Sequence, residues 1–155
     1  SYIVQELVPE IDSKFRTLAT RENRFIAGLS MGGYGSLKFG LKYPQKFAAV
    51  GSFSGALRAT DWTDKVIGEW LAKSIMSVFG AAESENRKAN DIYRLAREWP
   101  ADKTKELPFI YLDCGTEDFL IENSHDFTPA VGGGCALHGK GRQVLRRDVQ
   151  GVHTL

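Results

Sequence analysis

Ser30 occupies the setting with the clearest chemical meaning, because Gly28-Leu29-Ser30-Met31-Gly32 is a G-x-S-x-G pentapeptide between an apolar run and a helical pattern. A serine hydroxyl becomes a useful nucleophile when a base takes its proton and positioned donors receive the charge developing on the attacked carbonyl oxygen. The bare pentapeptide recurs by chance; its context gives it weight. Phe25-Ile26-Ala27 suits a buried parallel strand, and Tyr34, Leu37 and Leu41 recur at helical spacing after the serine. A strand that turns straight into a helix leaves the serine on a tight, strained bend, with its hydroxyl above the strand ends. The same bend sets the Met31 N–H at a helix start, where unpaired amides and the helix dipole favour an oxyanion. Leu29, immediately before the nucleophile, is a candidate substrate contact.

Such a serine needs an imidazole and a carboxylate to orient it. Pro108-Phe109-Ile110-Tyr111-Leu112-Asp113-Cys114 reads as a strand, and Gly115-Thr116-Glu117-Asp118 as the turn at its C-terminal end. Acidic groups there face the same rim as Ser30, as ligand-binding edges of open α/β sheets do. Asp118 is the expected orienting acid, with Asp113 and Glu117 as its neighbours in the choice. Of the three histidines, His125 falls too soon after Asp118 and should ride on the next helix. His138 and His153 both satisfy the order Ser, Asp, His. Position after the apolar run 144–149, the expected last strand, favours His153.

The elements that must hold these groups alternate. Residues 1–16 carry an apolar stripe at helical spacing and should pack on a sheet, with a kink near Pro9 or two short helices meeting there. The elbow helix should stop near Tyr43, before Pro44. Phe47-Ala48-Ala49-Val50-Gly51-Ser52 is a second apolar run without alternation, as for a strand covered on both faces, and completes a βαβ unit. Ser54, at its C-terminal end, is a second candidate substrate contact. Residues 58–105 then interrupt the alternation with two helical stripes, a segment suited to shaping a pocket. The whole describes one α/β domain over residues 1–155: a three-layer αβα sandwich with a mostly parallel sheet and a helical insertion at about 58–105.

Composition excludes several classes. Twenty basic against 19 acidic residues give a net charge of +1, which supplies no field for nucleic acid or an anionic membrane. No apolar run approaches the length of a membrane span, and the compartment stays open. Cys114 and Cys135 form no disulfide framework, and no ligand set for a metal or organic cofactor is present.

With these residues in view, the chain resembles the α/β-hydrolase esterase family that includes esterase D, S-formylglutathione hydrolases, feruloyl and acetyl-xylan esterases, tributyrin esterases and the antigen 85 mycolyltransferases. The likeness covers about residues 2–127 and is carried by IVQELVPEIDSKFRT, RFIAGLSMGGYGSLKFGLKYPQKFAAVGSFSGAL and PFIYLDCGTEDFLIENS. It implies Ser30 as nucleophile, Asp118 as triad acid and, through Gly151-Val152-His153-Thr154, His153 as base. It implies a small ester as substrate, split through an acyl-enzyme on Ser30. Family members carry a further N-terminal part that supplies the first strands and an H-G-type loop with the second oxyanion donor. This chain is therefore expected to expose an apolar edge on the elbow strand, covered by a second copy in a homo-oligomer. It is also expected to turn over slowly, by about 100 to 1000-fold, unless the rim at residues 52–55 supplies that donor. Residues 128–141 depart from the family pattern, with three consecutive glycines and no helical period.

Overall fold

The computed structural model describes residues 1–63, 68–131, 134–137 and 142–147, the last two segments as backbone. Strands β1 (Phe25–Leu29), β2 (Ala49–Phe53), β3 (Phe109–Gly115), β4 (Gly134–Leu137) and β5 (Arg142–Arg147) form one sheet in the order β1-β2-β3-β5-β4. β1, β2 and β3 run parallel, with Leu29 opposite Phe53 and Phe53 opposite Asp113. These three strands and their helices are the α/β arrangement expected.

The far half of the sheet differs from the expectation. The last strand is present, but β5 pairs antiparallel with β3, so Arg142 stands opposite Gly115 and Arg147 opposite Ile110. β4, which periodicity did not suggest, pairs antiparallel with β5 in turn. The Gly132-Gly133-Gly134 run that hides a helical period also hides a short strand, because glycines carry no side chain to show alternation.

Helix α1 (Val8–Lys14) continues a single π-helical turn at Ile3–Leu7. Pro9 lies in the first turn of α1, where its missing N–H is tolerated, so two short helical segments meet beside it, the second of the two expected arrangements, and no kink is needed. Only Val4 of these elements is fully buried, so the apolar stripe of residues 1–16 covers less of the sheet than its spacing implies. Helix α2 (Met31–Lys42) ends before Pro44 as expected. The insertion contributes α3 (Glu69–Phe79), α4 (Glu85–Lys88) and α5 (Ile92–Arg97), and α6 (Ile121–Ala130) follows β3.

Burial alternates along the parallel strands although the sequence does not. Val50, Ser52, Ile110, Leu112 and Cys114 are buried, with Leu37, Leu41, Tyr93, Phe79 and Phe127 in the same core. Their chain neighbours Phe53 and Tyr111, whose rings lie 5.8 Å apart, are half-exposed. On β1, Phe25 and Leu29 are 67% and 69% exposed. One face of the sheet is therefore closed by helices and the other is largely open, so the expected covering on both faces is absent among the described residues.

Two tyrosines tie the insertion to this frame. The Tyr34 hydroxyl donates to Asn90 O at 2.6 Å, and the Tyr93 hydroxyl donates to Asn123 O at 2.7 Å. Burial pushes both phenols well above their usual range, which keeps them as donors. Arg58 lies 4.8 Å from the Tyr93 ring and pairs with Asp126 at 2.6 Å, fixing the start of the insertion to α6.

Two glycines of α2 separate packing from propensity. A Cβ at Gly40 would lie 2.4 Å from Val50 Cγ2, whereas one at Gly35 would meet nothing within 4 Å. Gly35→Ala is expected to raise stability by about 0.5–1 kcal/mol through helix propensity. Gly40→Ala is expected to lower it by about 1–3 kcal/mol through overpacking on β2. Urea unfolding of the two variants beside the parent checks both signs.

Candidate active site

Ser30 sits between the last residue of β1 and the first of α2 with φ 56° and ψ −117°, in the left-handed half of backbone space that serine rarely enters. Such a conformation costs about 1–3 kcal/mol and persists only where the surroundings over-determine it. Here they do. Ser30 N–H donates to Phe53 O at 2.9 Å, while Ser30 O accepts from Tyr34 N–H and from Ala56 N–H, both at 3.1 Å. Gly28 is the steric condition for the bend, since a Cβ there would lie 2.3 Å from the Gly32 carbonyl carbon. Gly32 contributes differently: its own Cβ position is open, and what matters is the close passage of its backbone over Gly28.

The first intrahelical acceptor is used by Tyr34, so the amides of Met31, Gly32 and Gly33 begin α2 without intrahelical partners. Ser30 is exposed, and its hydroxyl has no hydrogen-bond partner among the described residues. A free hydroxyl beside unpaired helix-start amides is an arrangement able to attack a carbonyl and receive its oxyanion. Leu29 and Met31 flank it as exposed apolar side chains.

The other rim residues follow from register. Because Leu29, Phe53 and Asp113 are aligned, Ser30, Ser54 and Cys114 begin the same rim on adjacent strands, about 10 Å across from first to third. Asp118 lies just beyond, on the turn that closes onto Gly115 O through its own N–H at 3.1 Å. One carboxylate oxygen accepts from Leu120 N–H at 2.9 Å, which fixes the side chain while leaving the other oxygen for a donor. Asp113 is buried within β3 and receives the Tyr111 hydroxyl at 3.3 Å, and Glu117 is exposed on the turn. Asp118 is the acid of the three that is both held and accessible.

Ser54 also has positive φ, 42°, a feature periodicity gives no sign of. Its N–H donates to Asp113 O at 2.7 Å and its hydroxyl accepts from the buried Cys114 thiol at 3.9 Å. Burial raises the Cys114 pKa and keeps it a thiol. Ser52 Oγ is sealed from solvent without a partner, in the space that Cβ atoms at Gly33 and Gly55 would fill. Of the rim considered for a second oxyanion donor, the Ser54 hydroxyl and the Gly55 amide remain.

His125 is exposed on α6, as expected. His138 and His153 both lie outside the described residues. The strand ends that flank His138, Leu137 and Arg142, are at the Gly115 end of β3, whereas Arg147 is at the Ile110 end. His153 is six residues past Arg147, an extended reach of about 20 Å, against about 17 Å from Ile110 back to Gly115.

A family model described as "Putative esterase" matches residues 1–130. The chain belongs to this esterase family. The chain is 33% identical to an acetyl esterase of Caldicellulosiruptor saccharolyticus over 98% of its own length and 56% of that protein. Among solved structures it is similar to an S-formylglutathione hydrolase of Staphylococcus aureus, with TM-score 0.62 and 29% identity over 79% of this chain and 46% of that one. A second S. aureus protein, a fluorophosphonate-binding serine hydrolase, matches with TM-score 0.61 and 30% identity over 81% of this chain and 48% of that one. The chain thus spans about half the length of these relatives.

Gly28→Ala is expected to cost about 3 kcal/mol, because a Cβ cannot enter the crossing with Gly32 without moving the bend. Thermal unfolding of the variant checks this; a change within 0.5 kcal/mol of the parent, a figure of about the size of an ordinary surface substitution, would show that the crossing is not tight.

Proposed function

We propose that the chain is a serine carboxylesterase that hydrolyses short-chain acyl esters through an acyl-enzyme on Ser30. The observation that supports it most is the strained, exposed Ser30 at the head of α2, its hydroxyl and the Met31 amide both without a partner among the described residues. The similarity to the fluorophosphonate-binding serine hydrolase of S. aureus supports the same residue type as nucleophile.

In this reading Ser30 Oγ forms a bond to the acyl carbon while a histidine takes its proton. The carbonyl oxygen, now negative, accepts from Met31 N–H. Collapse of the tetrahedral species breaks the ester C–O bond, and the alcohol leaves with the proton held by the histidine. Water repeats the sequence on the acyl-enzyme, releasing the acid and restoring Ser30. Asp118 holds the imidazole in the tautomer that presents its basic nitrogen to Ser30. His153 is the proposed base, and Leu29 and Ser54 the proposed contacts to the ester.

Hydrolysis of p-nitrophenyl acetate and butyrate by the purified chain tests the proposal. Ser30→Ala is expected to lower the rate by at least about 1000-fold, to the assay background. A fluorophosphonate probe should label the parent and not this variant. His153→Ala should match the serine variant while His138→Ala retains turnover. Equal background rates in parent and Ser30→Ala, with both folded and unlabelled, would instead favour a hydrolase-like chain without catalysis.

We also propose that a second copy covers β1. That strand pairs with β2 alone among the described strands, and Phe25-Ile26-Ala27-Gly28-Leu29 presents five residues without a charge. An uncharged, unbulged edge of this kind invites strand addition. Light scattering after size exclusion should show a dimer or larger species. Ala27→Lys should shift it toward monomer, and a strictly monomeric parent would refute the assembly.

A further inference from the structure

Outside the rim, one charged side chain is buried without a carboxylate among the described residues. Arg87, on α4, is 6% exposed. Its Nε and Nη2 both donate to Gly80 O, at 3.2 and 2.9 Å, and its Nη1 donates to Thr60 O at 2.9 Å and to Trp62 O at 3.2 Å. The two bonds to Gly80 O cap the C-terminal end of α3, whose Val78 and Phe79 carbonyls are capped separately by Asn86 and Ser84, and the other two tie that end to the segment 60–62. The capping leaves two things undone. Four of the five guanidinium N–H groups have acceptors, so one on Nη2 has none among the described residues. Carbonyl dipoles, moreover, do not neutralise a full charge held away from water.

Arg87 lines a cavity of about 350 Å³, with Trp62, Ala72, Met76 and Ala82 as its apolar wall. That volume lies in the range that takes a small organic molecule. Thr63, Glu69 and Lys73 also line it, and Glu69 is already neutralised by Lys73 at 2.7 Å in exposed positions. Among the described residues the cavity thus offers one positive charge without a carboxylate and an apolar wall bearing an indole. The Thr60 hydroxyl, buried without a partner on the residue whose carbonyl holds Arg87, is a further unmet polar group beside it. A dianion would bring more charge than Arg87 balances, and a neutral molecule would leave the guanidinium as it stands. None of the lining residues belongs to the Ser30–Asp118 rim.

We propose that this cavity binds a small monocarboxylic acid with an apolar body, its carboxylate received by Arg87 and its body lying against Trp62, Ala72, Met76 and Ala82. The proposal stands without the esterase reading, since it uses neither Ser30 nor turnover.

Benzoate and the neutral, similarly shaped benzyl alcohol are the probes, titrated into the full chain while the Arg87 Nε–H and Trp62 indole N–H resonances are followed. Benzoate should move both signals saturably, and benzyl alcohol should bind at least 10-fold more weakly. Arg87→Met should weaken benzoate about 10 to 100-fold, the effect of one lost charged hydrogen bond. That variant also loses the cap on α3, so Ala72→Phe supplies an independent arm: it fills the cavity from a helix position and leaves Arg87 in place. It should abolish benzoate binding while the Arg87 Nε–H signal keeps its position. Equal binding of the alcohol, no response to benzoate, or unchanged binding in Ala72→Phe would each overturn the proposal.

Discussion

The crossing of the Gly28 and Gly32 backbones is the contact on which the remaining site geometry depends. It allows β1 to turn into α2 within one residue, and that one residue is Ser30. The φ of 56° is then a product of closure rather than a preference of serine, held by hydrogen bonds to β2 and to the residue that opens the insertion. Because Ala56 N–H also reaches Ser30 O, the bend is braced from two sides of the chain at once. A side chain on an unbraced loop would lose orientation each time the loop moved; this one moves only with the sheet.

The sheet itself is unequal. Its helix-covered face is a packed core in which Val50, Ile110, Leu112 and Cys114 meet α2 and α6, whereas its other face leaves Phe25 and Leu29 in solvent. Apolar surface of this kind is costly to expose and marks contact with further polypeptide. The relatives, at roughly twice the length, possess enough additional chain to treat that surface differently. The two S. aureus structures match about four fifths of the chain with TM-scores of 0.62 and 0.61.

What could be read beforehand follows from where periodicity and covalent geometry dominate. The strand, turn and helix around Ser30 were legible because glycine spacing and helical repeat coincide there, and the α/β class followed from the alternation of runs. The helix stop at Tyr43 was legible from Pro44. The direction of β5 was not, since 142–147 reads equally well as a parallel or antiparallel strand and strand direction is decided by the connection before it. The open face was hidden because Phe25-Ile26-Ala27 and Phe47-Ala48-Ala49-Val50 are apolar at every position, which masks the period-two burial that they adopt. The second strained serine, Ser54, and the buried Arg87 were invisible for another reason. Both depend on contacts between segments far apart in sequence, and neither belongs to a motif.

Tyr34 stands in the first turns of the elbow helix, and its hydroxyl is bonded to Asn90 beyond α4, while its ring meets Phe79 of α3 edge-on at 5.6 Å. The nucleophile helix and the insertion are therefore not a scaffold and a decoration but one cooperative folding unit. Local opening of the insertion has to break a buried bond to α2, so the two would exchange their amide hydrogens together, at a common free energy, and the site would be assembled or lost as a whole.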